Sequence, residues 1–180
     1  MKIFTGVINA LTGRDWQDDI DVSAPALPRS FLAVAAYIPL GLVVALAVVR
    51  YNDNTATPPY QTVALTLTLI GLAFPLIAYI LCMLFDKMAA FRPWVIIRNW
   101  TILFALIGVA ATAGLYLIGL IPFALVYFMG FSLYLGTLAI DIRLASRIAG
   151  FDWIGAVFTG ILISTATMMI LSLGVTQSIG

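Results

Sequence analysis

Five uncharged, apolar runs occupy most of the chain: Phe31 to Val49, Gln61 to Leu84, Asn99 to Gly119, Ile121 to Ile140 and Ile154 to Leu173. A helix needs about 20 apolar residues to cross a hydrocarbon core about 30 Å thick, and every run is long enough. That layer holds no water to satisfy backbone N–H and C=O groups, so such runs close their own hydrogen bonds as helices. The fold expected is all-α, a polytopic membrane protein with a five-helix bundle over residues 31–173. Composition agrees, since 9% of residues are charged and mean hydropathy is +1.10, against about a quarter charged in soluble domains.

Residues 1–30 are read as a cytoplasmic segment and 174–180 as a short tail on the other side. Within the first, Ile3, Phe4, Val7, Ile8 and Leu11 recur at helical spacing, which predicts an amphipathic helix lying in the membrane interface with Lys2 beside the headgroups. Asp15, Asp18, Asp19 and Asp21 follow as an acidic turn, then a linker marked by Pro25 and Pro28. Lys2, Arg14, Arg29, Lys87, Arg92, Arg98, Arg143 and Arg147 fall on one side of the five-run layout, and only Arg50, near Asn52 and Asp53, falls on the other. The excess of Lys and Arg marks the cytoplasmic side, so the N-terminus is expected in the cytoplasm and the C-terminus outside. Trp16, Trp94, Trp100 and Trp153 sit at run ends on that same side, where indole rings favour the headgroup layer. Charge counting leaves open whether the third and fourth runs cross or form a re-entrant hairpin around Gly119-Leu120-Ile121-Pro122; their length favours crossing.

The residue inventory narrows the chemistry. There is no His and no Glu, which removes an imidazole base, a Ser-His relay and an imidazole metal ligand. A net charge of +1 lacks the basic stripe that nucleic acid requires. Cys82, the single cysteine, lies in an apolar run and reads as a buried side chain. No Asp, Lys or Arg lies well inside a run, which weakens a proton-coupled or charged-substrate transporter. The stretch Asp141 to Asp152 invites comparison with the carboxylate motif of CDP-alcohol phosphotransferases, but Ile142 stands where that motif has Gly, and of the two further Asp it needs downstream only Asp152 remains. The acidic turn reads as solvated or helix-capping rather than as a cation site. No catalytic, cofactor or metal residue is assigned. Two surfaces remain. Lys87, Arg92, Arg98, Arg143 and Arg147 are read as an exposed rim for lipid headgroups or a partner. Gly108, Gly114, Gly155 and Gly160 belong to small-residue faces that let helices approach closely, within this chain, in a homo-oligomer or with another membrane protein.

The loop Phe91-Arg92-Pro93-Trp94-Val95-Ile96-Ile97-Arg98-Asn99-Trp100, the Gly119-Leu120-Ile121-Pro122 hairpin and the stretch Tyr127 to Tyr134-Leu135-Gly136 resemble the Yip1 family of five-helix membrane proteins, and the N-terminal portion is similar to bacterial, particularly alphaproteobacterial, proteins of this size. The resemblance implies partner binding and no catalytic residues. The expected function is a non-enzymatic scaffold or accessory subunit that binds another membrane protein or organises lipid, with no cofactor. The rival is a small permease or channel for a neutral solute, with Pro39, Gly71 and Pro75 along its path and Thr66, Thr68 or Thr112 facing inward. A lipid-modifying enzyme would need Asp86, Asp141 and Asp152 gathered together.

Overall fold

The computed structural model describes residues 2–52 and 57–179, with side chains described up to residue 174; Asp53 and the end of the tail at Gly180 lie outside these residues. Every regular element among the described residues is a helix: α1 Lys2–Thr12, α2 Ala26–Asn52, α3 Tyr60–Leu84, α4 Met88–Leu117, α5 Phe123–Arg147 and α6 Trp153–Ile179. The last five are long and apolar enough to cross a membrane. They start earlier or end later than the uncharged runs, because a helix carries charged residues in the turns outside the apolar slab as readily as apolar ones inside it. Thus α4 takes in Arg92 and Arg98, α5 takes in Asp141, Arg143 and Arg147, and α6 continues through the expected tail to Ile179.

Pro39 and Pro75 do not break their helices, which run on through both. The α4–α5 turn follows the Gly/Pro reading. Gly119 holds φ +81°, its N–H reaches Tyr116 O at 2.9 Å and the Leu120 N–H reaches Leu115 O at 3.0 Å, a Schellman ending, and Pro122 precedes the first turn of α5. This turn is level with the end of α2: Arg50 donates to Leu117 O at 3.4 Å and the Tyr51 ring stacks on Phe123 at 4.1 Å. Helix α4 therefore runs the length of α2, and α5 returns along α4 over the same length, which a re-entrant pair would not do.

Packing is unequal along the bundle. The main core lies at the charged end, where Val7, Ala10 and Ile20 from the N-terminal segment meet Trp94, Leu144 and Phe151. Helix α1 is part of that core: it buries Gly6, Val7 and Ala10 against the bundle and leaves Ile3, Phe4 and Ile8 exposed. At the opposite end the core shrinks to Ala47, Ala113 and Val126. The difference is physical, because apolar burial drives packing where water is the alternative, whereas within lipid close approach of small residues must serve.

Such an approach joins α2 to α3, where a Cβ on Gly71 would overlap Val34 Cγ1 and one on Gly41 would overlap Leu67 Cδ1. Val34 is β-branched and nearly fixed in χ1 on a helix, whereas Leu67 can swing its tip aside. Gly71→Ala is therefore expected to cost about 1–3 kcal/mol and Gly41→Ala much less. Gly130→Ala, with nothing near its Cβ, is expected to be neutral or to gain up to about 1 kcal/mol from helix propensity. Unfolding titrations in detergent give this order, and Val34→Ala should restore the Gly71→Ala protein.

Candidate functional site

Helices α2 to α5 converge on two neighbouring residues of α4. Arg98, which sequence reading assigned to the exposed rim, is 5% exposed and its Nε and Nη2 donate to Asp141 Oδ1 and Oδ2 at 2.5 and 3.0 Å. That assignment is corrected: a guanidinium on an inward face of the bundle finds its carboxylate on α5 and leaves no charge for the rim. The Phe74 ring of α3 covers the guanidinium at 4.0 Å, a cation–π contact strengthened by the absence of water. Beside it, Asn99 donates from Nδ2 to Ser30 Oγ at 3.0 Å, and its carbonyl accepts from the Tyr37 hydroxyl at 2.9 Å. Ser30 and Tyr37 of α2 are thus matched to Asn99 of α4, as buried polar groups generally are.

The depth of this girdle follows from helix geometry. Arg98 lies 21 residues before Gly119 and Asp141 lies 21 residues after Leu120, so at about 1.5 Å per residue both stand roughly 32 Å from the α4–α5 turn. That distance matches one hydrocarbon thickness, which sets the pair at the edge of the apolar slab nearest the charged end.

Below the pair lies a partly open cavity of about 230 Å³ lined by α2 to α6, with Leu67, Ile102, Leu106 and Leu133 among its apolar walls and Tyr134, Thr137 and Ser164 as polar points. A second trough of about 220 Å³ runs on the other flank of α5, where Ala105 and Val109 of α4 face Met129, Ser132 and Gly136. Between these hollows no residue of α5 from 127 to 140 is buried. Neither hollow is the solute path that sequence reading drew. Gly71 is packed against Val34, and the Thr68 and Thr112 hydroxyls bond carbonyls of their own helices. Thr66 lines a separate cleft near Pro59.

The remaining rim residues keep to the surface but have local work. Arg143 donates from Nε to Leu11 O at 2.8 Å, and a Cβ on Gly13 would lie 3.1 Å from the Arg147 guanidinium. Two cations at the carboxyl end of α1 satisfy its last turn and its dipole. Both also border a groove of about 560 Å³ with Trp153, which is 72% exposed. Lys87 donates to Gly150 O at 2.8 Å and sits 5.2 Å from the Phe151 ring centroid, and Arg92 is exposed. Of the four indoles, Trp94 is fully buried rather than interfacial.

The small-residue positions divide. Gly160 lies in the α5–α6 contact, where its Cβ would overlap Ile142; Gly108 would touch only the Met129 methyl at 4.0 Å; Gly114 faces open space; Gly155 abuts Asp152 and Phe151 at the start of its own helix. The carboxylates are spread out. Asp152 caps α6 through the Gly155 N–H at 2.9 Å, and Asp19 accepts from Asn9 at 3.0 Å. Asp21 is held below the ordinary carboxylate range by hydrogen bonds from the Ser23 side chain and backbone. Among the described residues no three His, Cys, Asp or Glu are grouped as a metal site.

No protein-family model, no curated protein and no solved structure matches the chain. The chain is an integral membrane protein by its five apolar, membrane-length helices.

Proposed function

We propose that this protein is a non-enzymatic accessory or scaffold subunit, Yip1-like in layout, that holds a helix of another membrane protein in the α4–α5 trough. The observation that carries the reading is the trough itself. Ala105, Ser132 and Gly136 leave a hollow of about 220 Å³ open on the flank of the bundle. Small residues of this kind are what lets a second helix approach in lipid. The eight-to-one distribution of Lys and Arg supports an orientation with α1 and the charged end in the cytoplasm, and the likeness of the N-terminal portion to bacterial proteins supports a bacterial inner membrane.

A single-cysteine set tests both statements, with Cys82→Ser as the background. Ser132→Cys is expected to cross-link to a second protein in native membranes, whereas Leu76→Cys, on an exposed face of α3, is not. A dimer-sized adduct would place a second copy in the trough and overturn the accessory reading, as would the same adducts from both positions. In intact cells a membrane-impermeant thiol reagent should label Leu120→Cys but not Arg92→Cys; the reverse would overturn the orientation.

A further inference from the structure

We infer that the cavity beneath the Arg98–Asp141 pair binds one chain of a neutral lipid from the leaflet at the charged end, with an uncharged carbonyl oxygen toward the guanidinium and the tail along α5. This site is on the opposite flank of α5 from the trough, so the inference stands apart from the proposed function.

Four observations fix the class of occupant. The first is length. The wall formed by α5 runs from Gly130 to Asp141, 11 residues or about 16 Å, which is half of a hydrocarbon core of about 30 Å and so the depth of one leaflet. The second is volume. About 230 Å³ gives room for roughly eight groups at the ~30 Å³ a water molecule takes in the liquid, too little for a whole two-chain lipid and enough for part of one chain. The third is the placement of charge: Arg98 and Asp141, the charged residues of the lining, close the cavity near the slab edge, whereas uncharged hydroxyls such as Thr137 and Thr167 are spread along it and Leu67 and Leu171 line it deeper in.

The fourth is charge. Arg98 spends Nε and Nη2 on Asp141 and borders the cavity. A guanidinium carries five N–H donors, so a donor remains for an incoming oxygen. The carboxylate already cancels the positive charge, however, and an anionic head would meet Asp141 as well as Arg98. A neutral acceptor such as an ester, ketone or quinone carbonyl takes the free N–H without that repulsion. A carbonyl of this sort reaches the membrane from two sources, an acylglycerol or a lipid-soluble quinone.

The test uses the full chain in nanodiscs and four ten-carbon probes: monodecanoylglycerol, a decyl-substituted benzoquinone, ionised decanoate and decane. Saturable binding is expected for one of the two carbonyl probes, and which one binds names the source. Decanoate and decane are expected to bind at least about tenfold more weakly. Gly130→Phe fills the cavity from a position with nothing near its Cβ; Thr137→Leu fills it from a residue whose hydroxyl bonds only its own helix at Tyr134 O. Each is expected to weaken the favoured probe by about tenfold or more without lowering Tm, and Thr137→Leu decides the matter where Gly130→Phe does not fold. Binding of decanoate as tightly as the carbonyl probes, equal binding of decane, no saturable binding, or full binding by the filled variants would each overturn the inference.

Discussion

Asp141→Ala is expected to destabilise the bundle by about 3–5 kcal/mol, because it leaves a buried guanidinium without its counter-charge. Its partner substitution, Arg98→Met, should cost less. An arginine cannot shed its proton in a protein, so the Asp141→Ala chain must bury a charge or drag α4 toward water to hydrate it; a lone carboxylate can take up a proton and become neutral. The location of the pair tempers the first number. Roughly 32 Å from the α4–α5 turn, Arg98 lies near the slab edge, where a long side chain can snorkel toward the headgroups, and the lower part of the range is expected. Replacing both residues, as in Arg98→Met with Asp141→Leu, should return stability to within about 1 kcal/mol of the parent or above it, since apolar replacements of buried pairs are often neutral or stabilising. Unfolding titrations of the four proteins in detergent close the cycle. A cost below about 1 kcal/mol for Asp141→Ala, a value expected of exposed pairs, would show that the pair is hydrated in the membrane.

The five spans, the α4–α5 turn and its Gly119 ending were legible in the sequence because each rests on local signals: run length, a glycine free to adopt positive φ, a proline starting the next helix. The buried pair was not, because it joins residues 43 apart and a charge count treats every arginine near a run end as exposed. A signal was nonetheless present. Once the hairpin pivots at Gly119 and Leu120, residues equidistant from that pivot stand level on antiparallel helices, and Arg98 and Asp141 are equidistant from it. Level opposite charges on neighbouring helices argue for a pair before any coordinates are known. Nothing comparable revealed the hollows beside α5. They depend on which faces of α3, α4 and α6 the bundle turns inward, and a sequence whose spans are apolar all round gives no amphipathic stripe from which to read those faces. The glycines show the same limit. Small-residue spacing pointed to Gly155, which abuts its own helix start, and passed over Gly71, whose lack of a side chain lets α3 lie against Val34 of α2.

Trp94 carries the second large effect, and its three natural comparisons separate packing from hydrogen bonding. Its ring is fully buried between Phe74 at 5.5 Å and Phe151 at 6.1 Å, both edge to face. It lies one helical turn beyond Arg98 on the charged side, which by the same count is the hydrated headgroup layer, so water competes for this core and apolar burial contributes to holding it together. Trp94→Ala is therefore expected to cost about 3–5 kcal/mol. The indole Nε1 is also the one buried side-chain N or O among the described residues with no hydrogen-bond partner, a burden of about 1–3 kcal/mol. Trp94→Phe removes that burden together with part of the ring, and the two changes oppose each other, so it should stay within about 1.5 kcal/mol of the parent. Trp153→Ala, at a side chain 72% exposed, should fall within about 0.5 kcal/mol. Far-UV circular dichroism during unfolding reads all three without relying on tryptophan emission. A Trp94→Phe cost approaching that of Trp94→Ala would mean that the indole N–H holds an acceptor, a bound water or headgroup oxygen at the slab edge, and would extend the polar girdle from Arg98 to Trp94.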